Sequence, residues 1–204
     1  MEMTLGSRSL KIMIIIALGC VPLQRVNAQA SPTAIQRLHI STFAGATGTY
    51  TGLASGRNLG ITAGVDIGFR SFLSLQPYIE LRGTYAIDKG EVDSQKNVIS
   101  GLKLAKAYGR FHPYGDVLFG RGQINYRNGF PDPRQEFAYF QSFSNVLSLG
   151  GGVDISLSDH FQLKADGQFQ RYSSPVTESG HQYLKPVTLG IVYRFTSTRL
   201  LTKK

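Results

Sequence analysis

The sequence predicts an all-β protein: an eight-stranded antiparallel β-barrel of up-and-down topology that crosses a membrane. Eight segments alternate apolar and polar residues with the period of two that is typical of β-strands. The connections between these segments alternate in length, and short turns at one end with long loops at the other are typical of transmembrane barrels. The polar faces of the strands also carry many charged residues, which is unusual for the core of a soluble protein.

Residues 1–28 are predicted to be a cleaved secretory signal peptide. Arg8 and Lys11 precede a short apolar run at residues 12–18, and residues 26–28 (V-N-A) form a small-residue cleavage site. Residues 28–30 (A-Q-A) are an equally acceptable site. The apolar run is shorter than the about 20 residues that a transmembrane helix needs.

The alternative for this segment is a lipoprotein signal, in which Cys20 would be acylated and retained. This alternative is disfavoured because Ala17 occupies the position where such signals usually carry leucine. An ordinary signal peptide removes Cys20, the only cysteine in the sequence, so the mature chain would contain no disulfide.

The mature chain is basic. Removal of three basic residues and one acidic residue with the signal peptide leaves 19 basic against 12 acidic residues, a net charge of +7. An exported chain does not meet nucleic acid, so the expected anionic partners are outer-membrane lipids and the phosphates of lipopolysaccharide. No stretch after the signal peptide is apolar enough for a helical span, and a chain without one enters a membrane only as a closed barrel.

The mature chain is divided into a linker at residues 29–37, the barrel at residues 38–195 and a short basic tail at residues 196–204. The predicted strands are residues 38–46, 59–70, 75–87, 98–108, 114–126, 147–157, 161–172 and 186–195. Long loops at residues 47–58, 88–97, 127–144 and 173–183 alternate with short turns at residues 71–74, 109–113 and 158–160. Both ends of the barrel then lie on the side of the short turns, which is the periplasmic side.

The pattern is weakest in the first strand, and the fifth has mixed faces and several glycines. In the other six strands apolar residues share one parity: Ile61, Val65 and Ile67; Ile79, Leu81 and Tyr85; Leu102 and Leu104; Leu147, Leu149, Val153 and Ile155; Phe161, Leu163 and Phe169; Val187, Leu189 and Ile191. Gly150, Gly151 and Gly152 lie inside the sixth strand and indicate a bend or a close backbone approach. Pro186 is acceptable only at the first position of its strand or on an edge.

Alternation alone does not show which face is inside, because a soluble lipocalin-like barrel alternates too. The polar parity favours a charged interior, since its five acids match its five bases and a narrow lumen needs near-neutrality. The charge network expected in the lumen consists of Asp66, Glu80, Asp116, Asp154 and Asp166 with Arg70, Arg82, Lys103, Lys164 and Arg194. Aromatic residues near the strand ends favour the same orientation, and the absence of tryptophan disfavours a lipocalin.

Three segments carry a resemblance to a known family: F-H-P-Y-G-D-V-L-F-G at residues 111–120, L-G-G-G-V-D-I-S-L-S-D-H at 149–160 and L-G-I-V-Y-R-F at 189–195. The chain resembles the small eight-stranded outer-membrane β-barrels of Gram-negative bacteria, the OmpA/OmpX-like or porin-family barrels. The resemblance implies a location in the outer membrane. It also implies assembly by the barrel-assembly machinery, which commonly recognises a terminal aromatic residue. Phe195 matches that residue in kind, although residues 196–204 follow it.

The barrel size predicts a lumen filled by side chains, because an interior formed by eight strands is just wide enough for them. The expected function is therefore a non-enzymatic structural or surface-interaction role exercised through the outer loops. A narrow porin for small solutes, a barrel-borne lipid deacylase or protease, and a soluble periplasmic ligand-binding barrel remain the alternatives. No extracellular partner is named by the sequence.

Two groups of residues are candidates for contacts outside the barrel. Exposed aromatics among charges often mark binding surfaces, and the longest loop contains Phe130, Phe137, Tyr139 and Phe140. Lipopolysaccharide phosphates are expected to meet the basic residues near the outer rim, which are Arg121, Arg127, Arg171 and Lys185. Ordinary loop packing and solvated rim charges are the competing interpretations.

A catalytic role would require a histidine close to a nucleophile or a carboxylate on converging strands. His39, His112 and His160 are expected near the periplasmic end, and His181 lies in the last outer loop beside Ser179. Neighbours in one loop do not form a catalytic triad, so no enzyme activity is expected. The sequence contains no metal-binding spacing and no nucleotide motif, so no cofactor is expected.

Overall fold

The computed structural model describes residues 39–90, 92–131, 133–134 and 137–196. The predicted signal peptide with Cys20, the linker and residues 197–204 of the tail lie outside the described residues. Within the described ranges we find no helical segment of the length and hydrophobicity that a bilayer-spanning helix requires.

The described residues form eight strands. In chain order they are β1 (His39–Tyr50), β2 (Arg57–Gly68), β3 (Leu75–Asp88), β4 (Asp93–Lys106), β5 (Phe111–Pro131), β6 (Ala138–Ser156), β7 (Phe161–Ser173) and β8 (His181–Thr196). Each strand pairs antiparallel with the next, and β8 pairs with β1 to close the barrel. The predicted all-β, eight-stranded, up-and-down architecture is confirmed.

Several strands extend farther toward the extracellular end of the barrel than the sequence predicts. β4 begins at Asp93 and β8 at His181, and most of the loop expected at residues 127–144 belongs to β5 and β6. Phe130 pairs with Tyr139 after an irregularity in the β5–β6 ladder. Apolar alternation could not show these extensions, because a strand above the bilayer is held by main-chain hydrogen bonds and needs no apolar face.

Pro186 lies inside β8, not at its first position as expected. It is opposite Thr49 of β1. On the other side, the β7–β8 pairing skips from Gly167↔Val187 to Gln170↔Leu184. The proline is tolerated because that ladder is interrupted where its missing N–H would otherwise be needed.

The outward face of the barrel is apolar. Leu81, Phe119 and Leu189 are 51%, 58% and 62% exposed, whereas the charged side chains of Glu80 and Lys103 are buried inside. We call the outward apolar side chains the apolar belt; it includes Ile61, Ile67, Leu81, Leu102, Val117, Phe119, Leu147, Leu149, Leu163, Phe169, Leu189 and Ile191. A belt of this extent is unfavourable in water and is the surface that a transmembrane barrel presents to lipid.

The turns at the periplasmic end are tight. Leu73 and Ser74 form a two-residue connection between β2 and β3, closed by bridge pairing of Phe72 with Leu75. Both central residues have positive φ angles, 50° and 63°. Such a turn matches the twist of the adjoining strands, but it is usually formed by asparagine and glycine.

Candidate functional site

Charged side chains fill the middle of the lumen. We call them the lumen cluster; its members are Asp66 of β2, Glu80 and Arg82 of β3, Lys103 of β4, Asp116 of β5, Asp154 of β6, and Lys164 and Asp166 of β7. They come together because inward-facing positions of neighbouring strands lie at one level of the barrel, as in the pair Asp66↔Glu80. This arrangement brings together eight of the ten residues that the sequence places in the lumen network.

Arg82 binds carboxylates on two sides. Its Nη1 donates to Asp166 Oδ1 at 2.6 Å and its Nη2 donates to Asp166 Oδ2 at 3.2 Å. Its Nε donates to Glu80 Oε1 at 2.6 Å. A planar guanidinium suits this geometry, and charge-assisted hydrogen bonds of this kind are among the strongest in proteins.

Lys103 links β4 to two other strands. Its Nζ donates to Asp66 Oδ2 at 2.9 Å and to Asp154 Oδ2 at 3.0 Å. The same ammonium lies 4.0 Å from the centre of the Tyr114 ring. Lys103 therefore neutralises two carboxylates at once while one of its faces is covered by an aromatic ring.

Lys164 is held more loosely, although it is equally buried. Its Nζ is 3.6 Å from Asp154 Oδ1 and has no hydrogen-bond partner among the described residues. It lies 4.5 Å from the Phe43 ring centre and 4.3 Å from that of Tyr114. Cation–π contacts replace part of its lost hydration.

Two residues expected in the lumen network are not members of the lumen cluster. Arg70 follows the end of β2 at Gly68 and is exposed in the turn, so the expectation for Arg70 is wrong. Arg194 has the same inward parity as Thr188 and Val192 on β8, as expected, but it lies near the periplasmic end of the strand and is only partly buried. The lumen cluster consequently has five carboxylates and three cations. The near-neutrality inferred from the sequence is not met within it, because Arg70 lies beyond the end of β2 and Arg194 lies near the end of β8.

Inward-facing glycines make room for these side chains. A Cβ at Gly152 would lie 2.2 Å from the main-chain oxygen of Ala165, and one at Gly150 would lie 2.1 Å from the Gln168 side chain. The glycines of β6 therefore mark the close approach that the sequence indicates.

A polar layer lies inside the barrel between the lumen cluster and the extracellular end. Thr188, Thr47, Thr62 and Thr84 belong to four consecutive strands, and their hydroxyls are joined at 2.9, 2.6 and 3.0 Å. Because a hydroxyl both donates and accepts, this chain satisfies buried groups without introducing charge.

An apolar cluster closes the outer half of the lumen. It contains Ile99, Leu118, Ile124, Tyr126, Val146, Tyr172, Val176 and Leu184. This cluster is not predicted by the sequence. Leu118 has the same strand parity as Asp116, and this parity was the signal that could have placed it inside. Because the fifth strand has mixed faces in the sequence, the signal could not be recognised.

Asp93 lies at the outer mouth, beyond the apolar belt. Thr51 Oγ1 donates to Asp93 Oδ1 and Gln182 Nε2 donates to Asp93 Oδ2, each at 2.6 Å. Burial raises the pKa of the Asp93 carboxyl above its usual value, against the opposing effect of these two donors. This carboxyl joins three strand ends where β1, β4 and β8 leave the membrane.

Basic residues surround the barrel at the level just above the apolar belt, on the side of the extracellular loops. We call this set the basic band; it consists of Arg57, Lys96, Arg121, Arg171 and Lys185, all exposed. Of the rim residues expected from the sequence, Arg121, Arg171 and Lys185 belong to the band. Arg127 lies farther out, where its Nη1 donates to the main-chain oxygen of Gly90 at 3.0 Å. Arg57 and Lys96 were missed because the sequence placed them in loops.

The aromatic residues of the expected long loop divide into two groups. Phe130 and Tyr139 are partly buried and pack against the apolar cluster, so the expectation that they form an exposed contact surface is wrong. Phe137 and Phe140 are each 65% exposed. The difference follows from the strand extension, because Phe130 and Tyr139 are paired within the β5–β6 ladder.

The histidines do not form a nucleophile–base pair with a neighbouring hydroxyl. His181 Nε2 lies 2.5 Å from a guanidinium nitrogen of Arg171, and Ser179 Oγ contacts only main-chain atoms of His181. His112 Nδ1 is 3.3 Å from the main-chain oxygen of Asp154, and the His160 ring stacks near Tyr193. No group of three potential metal ligands comes together in the described part of the chain.

No protein-family model matches this sequence, and no curated protein matches it. Among solved structures, the crystal structure of Neisserial surface protein A is similar over 78% of this chain and 97% of that chain. The sequence identity is 13% and the TM-score is 0.50. The chain has the fold of the small eight-stranded outer-membrane β-barrels. The resemblance inferred from the sequence is confirmed for the fold, and the apolar belt gives this barrel the surface that a membrane location requires.

Two other solved structures are also similar to this chain. One is the attachment invasion locus protein Ail of Yersinia pestis, in complex with the heparin analogue sucrose octasulfate. It is 12% identical over 78% of this chain and 99% of that chain, with a TM-score of 0.47. The other is the outer membrane enzyme PagL, which is 13% identical over the same shares, with a TM-score of 0.44.

Proposed function

We propose that this protein is a non-enzymatic outer-membrane barrel whose lumen is closed by side chains, and that it acts through its outward-facing end. The main observation in support is that side chains facing the lumen are buried at successive levels along the barrel axis. Arg82 and Lys164 are 2% and 1% exposed in the lumen cluster, and Leu118 and Tyr172 are 0% exposed in the apolar cluster. Water does not reach these side chains, so a continuous aqueous path past them is not expected.

Two layers of different chemistry support this proposal. An ion crossing the barrel would first have to leave water at the apolar cluster and then displace the salt bridges of Arg82 and Lys103. Each step is unfavourable, since an unpaired charge in an apolar environment loses its hydration. The narrow-porin alternative would require both layers to rearrange.

The soluble-barrel alternative is disfavoured by the apolar belt, which would be exposed to water. The enzyme alternative is disfavoured by the engagement of the His181 ring with Arg171 instead of a hydroxyl nucleophile. Deacylation of lipid by the purified protein, abolished in a His181→Ala variant, would restore that alternative.

Conductance across planar bilayers tests the closed lumen. The protein is inserted after its folding has been verified by the gel mobility of the unboiled sample, and a general porin inserted in the same bilayer serves as the positive control. We expect no stable conductance steps from this barrel. Large steps that persist over a range of voltages would overturn the proposal.

We also propose that the basic band attracts the phosphates of outer-membrane lipids and lipopolysaccharide. Every carboxylate on a described strand faces into the barrel except that of Asp88 at the end of β3, so the charge just above the apolar belt is positive. Exposed Phe137 and Phe140 near the tip of the β5–β6 hairpin remain candidates for an extracellular partner. The protein should associate more strongly with anionic vesicles than with neutral vesicles. High salt should reduce its association with the anionic vesicles and have little effect on the neutral ones.

A further inference from the structure

A groove crosses the outer boundary of the apolar belt on the β3–β6 side of the barrel. It has a volume of about 570 Å³, within the roughly 300–1,000 Å³ typical of small-molecule sites. Its lining comprises Gly83, Thr84, Tyr85, Lys96, Asn97, Val98, Arg121, Gly122, Gln123 and Phe143. One end of the groove is therefore apolar and within the belt, while the other end carries two members of the basic band.

The floor of the groove exists because Gly83 has no side chain. Gly83 is opposite Val98 in the β3–β4 ladder, at an outward-facing position of β3. A Cβ added at Gly83 would meet only Asn97 O, at 3.7 Å. The position thus has space for a larger residue, and its glycine leaves a depression beside Val98.

The two cations face the same end of this depression. Lys96 is opposite Gln123, and Arg121 is opposite Val98. They are diagonal neighbours on adjacent strands, a geometry that places Cβ atoms about 7–8 Å apart. Side chains of this length converge on one phosphate group from such positions. Neither cation forms a salt bridge with a carboxylate among the described residues.

Aromatic side chains form the walls. Tyr85 on β3 and Phe143 on β6 are 55% and 68% exposed. Gln123 closes the outer end, where its Nε2 donates to Asn125 Oδ1 at 2.6 Å and to Gln141 Oε1 at 3.0 Å. The groove is consequently an open depression that is apolar along most of its length and cationic at one end.

We propose that this groove binds the phosphate and one acyl chain of a phosphorylated lipid of the outer leaflet, with lipid A as the occupant. The phosphate contacts Lys96 and Arg121, and the acyl chain lies over Gly83 and Val98 between Tyr85 and Phe143. Charge complementarity and the position at the membrane boundary select an amphiphilic anion over a free one. This proposal rests on the proposed attraction of the basic band for lipid phosphates and assigns a specific site within it.

The experiment is native mass spectrometry of the folded barrel released from micelles containing lipid A. A Lys96→Gln, Arg121→Gln pair removes the cations of the groove. An Arg171→Gln, Lys185→Gln pair removes the same charge from the band on β7 and β8, away from the groove, and serves as the matched control. We expect the first pair to weaken lipid A retention by about tenfold or more, as the loss of charge-assisted phosphate contacts implies. The control pair should weaken retention much less, because it removes only a part of the general attraction of the basic band.

A Gly83→Leu variant tests the apolar half of the site with both cations intact. Leucine fills the floor without a main-chain clash, so lipid A retention should fall by about tenfold, while the unboiled protein keeps its folded gel mobility. Lipid A without its phosphates should bind as weakly to wild type as lipid A does to the Lys96→Gln, Arg121→Gln pair.

Three results would overturn the site. If the two glutamine pairs lost lipid A retention equally, the basic band would attract lipid A as a whole and the groove would not be a specific site. Undiminished retention by Gly83→Leu would remove the acyl chain from the proposal. Absence of retention by wild type would remove both the groove and the wider attraction of the basic band for lipid A.

Discussion

Replacement of Lys103 by methionine should destabilise the barrel far more than the same replacement of Lys164. Both lysines are nearly completely buried, at 2% and 1% exposure, and belong to the lumen cluster. Methionine preserves most of the side-chain volume, so the comparison isolates the ammonium group. The two variants differ in what the lost ammonium was binding.

The magnitude follows from the contacts. Lys103 donates to Asp66 at 2.9 Å and to Asp154 at 3.0 Å, and each charge-assisted hydrogen bond contributes about 1.5–3 kcal/mol. Removal of one partner from a buried ion pair costs about 3–5 kcal/mol, because a carboxylate stays buried without its cation. We expect Lys103→Met to lower the free energy of unfolding by about 3–5 kcal/mol.

Lys164→Met should lower the free energy of unfolding by about 1–2 kcal/mol. Lys164 has a single ion-pair contact at 3.6 Å without a hydrogen bond, together with cation–π contacts. Asp154 keeps its bond to Lys103 in that variant. Relief from burying an ammonium that lacks hydrogen bonds offsets part of the loss.

Urea unfolding in lipid vesicles, followed by the gel mobility of unboiled samples, measures both free energies. An Asp154→Asn variant and a Lys103→Met, Asp154→Asn double variant complete the cycle. The double variant should be more stable than the sum of its two single effects implies, because one of the two carboxylates that lose Lys103 is gone. If Lys164→Met proved as costly as Lys103→Met, hydrogen bonding would not be what ranks the buried lysines, and our account of the cluster would be wrong.

Three further predictions concern the turns, the outer mouth and the packed wall. Leu73 has a φ of 50°, so Leu73→Gly should stabilise the barrel by about 1 kcal/mol by removing left-handed strain; a lower urea midpoint would contradict this. Asp93 has a pKa raised by burial, so its charged form is disfavoured in the folded state. The local stability of the outer mouth should fall as pH rises above about 4 through the folded pKa. Amide hydrogen exchange at the start of β4, corrected for intrinsic rates, measures this dependence, which Asp93→Asn should abolish. Gly152→Ala places a Cβ 2.2 Å from Ala165 O and should destabilise by about 2 kcal/mol or more, whereas Gly167→Ala, with nothing within 4 Å of its Cβ, should have little effect on the urea midpoint.

The sequence predicted the membrane part of the fold well and its outer part poorly. Alternation was clear in six of the eight strands because a strand in a bilayer must show lipid one face and the lumen the other. Above the bilayer that requirement disappears, so β5 and β6 continue to Pro131 and from Ala138 without a regular alternation of apolar and polar residues. Lys96 of the groove was missed for this reason.

The lumen was predicted in composition but not in arrangement. Parity placed Asp66, Lys103 and Asp154 inside. It did not show that Lys103 binds both carboxylates, since that contact joins β2, β4 and β6 across the barrel. Nor could parity exclude Arg70, whose position depends on where β2 ends.

What the sequence determined by itself was the alternation of lipid-facing and lumen-facing residues, because that pattern is local and repeats every two residues. What only the tertiary structure decided was which inward side chains meet across the barrel and which outward cations converge beside Gly83. Those contacts depend on the register of neighbouring strands, and register is a property of the closed sheet, not of any single segment.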